Sequence, residues 1–204
     1  MSRFILIFSL LACLAGCDAP LHKSHQPSSL ASSQYYMIPS VKMPASLSSA
    51  NCGAQALGTA CASLRPPGIS FAPEQLQIWQ KAGATPLDLL ITARVNGFSA
   101  HIHDAQWNSL LNAARSNTRA LVLFDSTIEV WTPFGWFRRP NSQAIYHWAA
   151  VSGFARDGSA LLLAAPGGRD YIIKRDSFIH RWSRADDCLI TIGLPPVAAA
   201  QERN

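Results

Sequence analysis

Along the first half of the chain apolar residues recur at helical spacing, and from Arg119 onward the period shortens toward alternation. Asn51 is a good N-cap, and the spacing of Ala54, Leu57 and Cys61 predicts a helix over 52–62. Pro73 opens a second predicted helix that ends at Gly83, and Thr85-Pro86 opens a third over 86–96, closed by Gly97. A short strand over 98–103 precedes a helix over 105–116, which puts Trp107, Leu110, Leu111 and Ala114 on one face. Segments 120–124, 146–154, 160–164, 171–174 and 189–192 read as strands, with Asp157-Gly158 as a hairpin turn. A helical turn is expected over 177–182. Helices first and antiparallel strands afterwards define an α+β domain.

The two ends follow a different pattern. Arg3 is a short positive start, residues 4–14 are an apolar run of export-signal length, and Leu14-Ala15-Gly16-Cys17 follows. That order resembles a bacterial lipobox, which implies a signal peptide over 1–16 and lipidation of Cys17. Several acyl chains on one cysteine bury enough methylenes for stable attachment. The expected address is the bacterial cell envelope, with the body facing the periplasm or exterior. Asp18 resembles an inner-membrane retention signal. Residues 17–40 are rich in Ser, Pro, His and Lys and read as a flexible lipidated tether. Pro195-Pro196 stops the last strand, so 41–194 is the expected folded domain and 195–204 a disordered tail.

Composition narrows the function classes. The 204 residues are 49% hydrophobic and 14% charged, which excludes a disordered chain and a coiled coil. The formal charge of +5 is dispersed, with Arg138-Arg139 and Lys174-Arg175 the adjacent basic pairs of the body and no longer basic run, so no nucleic-acid partner is expected. His101 and His103 share a strand face with Asp104 following, but spacing fixes no third ligand, and no metal or other cofactor is expected.

Five cysteines occur. Cys13 leaves with the signal and Cys17 takes the lipid, so Cys52, Cys61 and Cys188 remain, an odd number. Cys52 and Cys61 lie nine residues apart on one predicted helix, about 13 Å, too far for a disulfide. Either one could pair with Cys188.

A helical half that begins at a cysteine, followed by a sheet half carrying a histidine, resembles the papain-like cysteine peptidases that process bacteriocin leaders. The likeness is carried by Asn51-Cys52-Gly53-Ala54, with Leu57 and Gly58 behind. Further along it is carried by Gly83-Ala84-Thr85-Pro86 with Leu89 and Leu90, then Asn96-Gly97-Phe98. His147-Trp148-Ala149-Ala150-Val151, Ala165-Pro166-Gly167-Gly168 and Asp176-Ser177-Phe178 to Trp182 complete it. Their order spans about 41–193. The resemblance implies a papain-like fold with Cys52 as nucleophile and His147 as base and acid, and it leaves Cys61 and Cys188 as the candidate disulfide. A thiolate in the first turn of a helix sits where unsatisfied N–H groups favour negative charge.

Two positions depart from the pattern. Where the family carries an oxyanion-binding Gln, this chain has Pro44-Ala45-Ser46; Ser46, Asn51 and the Cys52 N–H are the candidate donors. Where it carries an imidazole-orienting Asp or Asn, this chain has Ala165, with Asp170 as candidate replacement. The aromatic stretch 131–139, with Trp136 and Phe137, reads as a loop rimming the substrate path together with Trp148. The implied function is a membrane-anchored extracytoplasmic cysteine peptidase that hydrolyses peptide bonds in a peptide or protein partner. The departures imply the alternative, a catalytically degenerate peptide- or protein-binding module.

Overall fold

The computed structural model describes residues 34–38, 52–64, 83–127, 129–132, 135–138, 144–165 and 169–195. The predicted helix from Pro73 to Gly83 lies almost entirely outside them, as do Cys17, Ser46 and Asn51. In chain order the elements are β1 (Tyr35–Met37), α1 (Cys52–Leu64), α2 (Pro86–Val95), β2 (Ser99–Asp104), α3 (Trp107–Arg115) and β3 (Arg119–Asp125). The hairpin β4 (Glu129–Thr132) and β5 (Gly135–Arg138) follows, then β6 (Tyr146–Ala155), β7 (Ala160–Ala165) and β8 (Arg169–Lys174). Last come α4 (Arg175–Trp182), a 3-10 turn at Ser183–Ala185 and β9 (Cys188–Gly193).

The main sheet runs β2-β9-β3-β6-β7-β8, all antiparallel, with β1 added to β6. Helices cover both faces. Along β3, Leu121 packs under α1 and α2, whereas Ala120, Val122 and Phe124 point to the face that holds Trp107, Phe178 and Trp182. A strand covered on both sides has no polar face to present, which is why β3 reads as a near-continuous apolar run.

Helix α1 is composed largely of small residues, and Cys52, Gly53, Ala54 and Ala56 through Cys61 are all buried. Arg119 closes its far end, donating from Nε to Ser63 Oγ at 2.5 Å and from a terminal nitrogen to Ser63 O at 3.3 Å, a cation at the helix's negative pole. Helix α2 starts with a capping box, in which Asp88 N–H donates to Thr85 Oγ1 and Thr85 N–H to Asp88 Oδ2. It ends at Asn96 and Gly97, the latter at φ 82°. Both core indoles are satisfied: Trp148 Nε1 donates to Ala84 O at 2.8 Å and Trp182 Nε1 to Cys188 O at 3.0 Å.

Two features correct the sequence reading. Within the stretch 131–139, read as a loop, the described residues 131–132 and 135–138 belong to the paired strands β4 and β5, with Trp131 opposite Trp136. Tyr35–Met37, inside the segment read as tether, is a strand on β6, and Ile38 beyond it is only 3% exposed. Three residues are too few to show a period, and what holds them is tertiary. Tyr36 stacks on Phe154 with ring centroids 5.0 Å apart, and Ile38 N–H donates to Ser152 O at 2.8 Å. Opposite Met37 the chain must have glycine, because a Cβ at Gly153 would lie 2.5 Å from Tyr36 O. Gly153→Ala is therefore expected to cost about 1–3 kcal/mol by overpacking. Hydrogen exchange should quicken first at the Ile38 and Arg156 amides, which bond across this pairing. Unchanged exchange there would show that β1 does not depend on the missing side chain.

Candidate active site

Cys52 is the first residue of α1 and only 7% exposed. The small side chains of α1 let the helix settle closely on β6, and the Trp148 backbone N–H donates to Cys52 Sγ at 3.5 Å. His147, the residue before Trp148, pairs with Phe124 across β3 and is partly exposed. Its ring meets Phe124 edge-on at 5.6 Å. Strand alternation sends Trp148 and Ala150 toward α1, while His147 belongs with Ala149 and Phe124 on the other face. The thiol thus meets β6 at the Trp148 backbone, one residue along the strand from His147, whose ring leans toward Phe124 on the opposite face. Cys52 and His147 line a common crevice of about 10 Å³ with Gln55, Thr59 and Ala164. So little space admits about one water molecule, so a peptide would lie across the crevice mouth and not inside it.

The structure does not bring every expected residue to this point. Asp170 lies on β8, two strands from β6, paired with Ala164, and no hydrogen bond joins it to His147 among the described residues. Trp148 is 3% exposed with its indole fixed by Ala84 O, so it is a core residue and not a substrate rim. Trp136 and Phe137 sit on β5.

The candidate disulfide is likewise absent: Cys61 and Cys188 are buried thiols that are not joined, and Cys52 is not bridged to either. Both contribute small side chains to the apolar cluster between α1, α2 and the sheet. Burial pushes the Cys61 thiol far above its ordinary range. Burial and then the negative charge of Asp186 push Cys188 up to about 11. Thiols so held stay protonated at neutral pH and are poor nucleophiles. No group of three His, Cys, Asp or Glu residues able to hold a metal occurs among the described residues.

Gln55 escaped the sequence reading. It lies one helical turn after Cys52 and lines the same crevice. Helical side chains lean toward the N-terminus, so its amide is carried up toward the level of the sulfur. The signal was present as a Cys-x-x-Gln spacing, but a polar residue at that distance is ordinary on any helix.

No protein-family model matches the sequence. No curated protein sequence is similar to it. Solved structures are similar in fold. The peptidase domain of Streptococcus ComA, a bifunctional ABC transporter involved in quorum sensing, aligns with a TM-score of 0.51 at 13% identity. That alignment covers 78% of this chain and 99% of that domain. A C39-like peptidase from Bacillus anthracis aligns at 0.48 and 12% identity over 71% of this chain and 88% of its own. A double-glycine-motif protease from an AMS/PCAT transporter, solved with its leader peptide, aligns at 0.46 and 17% over 70% and 81%. The chain has the papain-like cysteine peptidase fold, a helical half followed by an antiparallel sheet half.

Proposed function

We propose that the chain is a lipid-anchored cysteine peptidase of the bacterial cell envelope, acting on a peptide or protein through Cys52 and His147. The observation that carries this reading is the position of one thiol. Of the three described cysteines, Cys52 alone opens a helix; its sulfur takes the Trp148 backbone N–H, and it lines a crevice together with His147.

The reaction requires the His147 ring to turn from Phe124 into the crevice it shares with Cys52; there it takes the Cys52 proton, and the sulfur attacks the carbonyl carbon of the scissile bond. The proton then passes to the departing amine as the C–N bond breaks, and water hydrolyses the thioester to release the acid and restore the thiol. The negative charge on the carbonyl oxygen of the tetrahedral intermediate needs donors. The Cys52 N–H is one, since the first N–H groups of a helix have no intrahelical acceptor, and the Gln55 amide is the second. Cys17, lipidated, would hold the domain at the membrane, with Asp18 favouring the inner one. The specific reason to keep the binding-module reading is Ala165, which offers no acceptor where the resemblance expects the orienting acid.

Three experiments test these statements. Labelling of the full chain by a thiol-reactive peptidyl ketone should require Cys52 and fall by ~10²-fold or more in His147→Ala; labelling indifferent to either substitution leaves only the binding module. Gln55→Ala should slow acylation by p-nitrophenyl acetate by about 10²-fold while leaving iodoacetamide alkylation, which forms no oxyanion, nearly unchanged. Equal losses in both reactions would remove Gln55 from the oxyanion site. Incorporation of an alkynyl fatty acid in cells should vanish in Cys17→Ser, and incorporation that persists there would refute the anchor.

A further inference from the structure

Beside the crevice lies a larger depression. A groove of about 450 Å³ opens on the sheet face that also carries α1 and α2, beyond the start of α2. Its apolar lining includes Pro86, Ile102, Leu123 and Tyr146; Ile102 is 43% exposed and Tyr146 51%, high values for side chains of this size. The Tyr146 hydroxyl donates to Arg184 O at 3.2 Å, which fixes one wall to the 3-10 turn.

The rim is acidic. Asp104, at the end of β2, and Asp186, after the 3-10 turn, both line the groove and are exposed. Neither takes part in an ion pair among the described residues. Asp187 stands close enough that its carboxyl is raised, first by burial and then by the charges of Asp104 and Asp186. Of the basic groups on the groove, Arg184 is turned to the buried carboxylate of Asp125 at 3.6 Å, and His103 Nε2 is engaged with Thr191 Oγ1 at 2.9 Å. Unbalanced negative charge therefore concentrates here on a chain whose net charge is +5. A cationic side chain of a bound peptide complements this charge.

The groove and the proposed catalytic crevice are lined by neighbouring residues of β6. Tyr146 directly precedes His147, and Leu123 pairs with Trp148, whose N–H meets the Cys52 sulfur. We infer that this groove is a substrate subsite that takes an apolar side chain on its floor and a neighbouring Lys or Arg at its acidic rim. The inference rests on the peptidase reading for its place along a substrate, and it assigns the substrate class: peptides in which a basic residue stands beside apolar ones near the bond to be cut.

Binding can be read apart from cleavage. With the full chain carrying Cys52→Ala and labelled at Ile and Leu methyls, titration with acetyl-Leu-Lys-Leu-amide should shift the Ile102 and Leu123 signals. The Lys peptide should bind about fivefold or more tightly than acetyl-Leu-Glu-Leu-amide at low salt. The double variant Asp104→Asn, Asp186→Asn should erase that preference while Ile102 and Leu123 still respond. Equal affinity for the two peptides, a preference that survives in the double variant, or shifts confined to other methyls would overturn the subsite. If the Lys peptide binds as expected while Cys52 of the unsubstituted chain ignores the peptidyl ketone, the groove stands and the peptidase reading falls. Reactive Cys52 without the charge preference removes the groove alone.

Discussion

The close approach of α1 to β6 is the contact on which the rest of the molecule depends. A helix bearing Leu or Phe at each inward position packs about 8–10 Å from its neighbour, axis to axis. Here Gly53, Ala54, Ala56, Gly58 and Ala60 remove that bulk, and the sheet answers with Ala150 and Ala164. The sulfur of the first helical residue can therefore touch a strand's backbone N–H. Larger side chains would fill the same core equally well and hold the sulfur away from the strand. The small-residue composition thus costs apolar burial, which scales at roughly 25 cal/mol per Å², and in exchange sets a position that packing energy alone would not choose.

Position sorts the three described cysteines into two kinds. All three lie in one apolar cluster, but only Cys52 opens a helix; the thiols of Cys61 and Cys188 are pushed upward by burial, and Cys188 also faces the charge of Asp186. A disulfide between them is dispensable in a domain whose core already closes on both faces of the sheet, since cross-links matter most where apolar burial is insufficient. The resemblance suggested the bridge; what a resemblance in sequence cannot show is whether two sulfurs meet.

The helices and strands of the sheet were legible because their periods are strong. Trp107, Leu110, Leu111 and Ala114 fall on one face of α3 as their spacing requires, and β2, β3, β6, β7 and β9 lie within a residue or two of where alternation puts them. The order of Cys52 and His147 was legible for the same reason, since each sits at the start of a well-marked element. What escaped depends on partners remote in sequence. Strand β1 exists because Gly153 leaves room for the Tyr36 carbonyl, more than a hundred residues away. Trp148 looked like a rim residue beside the histidine, and only the Ala84 carbonyl shows why its indole turns inward. The acidic groove joins residues of β2, β6 and the turn before β9, none of them neighbours along the chain.

Strand β6 gathers these separate constraints into one element. Its first half carries Tyr146 on the groove, His147 at the crevice and the Trp148 amide that meets the thiol. Its second half carries Ser152 and Gly153, where the register with β7 shifts and β1 attaches. A bulge of that kind increases local twist and leaves one residue outside the ladder. Ser152 is that residue, 1% exposed with its hydroxyl unpartnered, and its carbonyl is what receives the Ile38 amide. The irregularity needed to seat the N-terminal segment therefore lies five residues along the same strand from His147. Regular pairing with β3 from Tyr146 to Ala150 separates the two, and that ladder keeps the distortion of one end out of the geometry of the other.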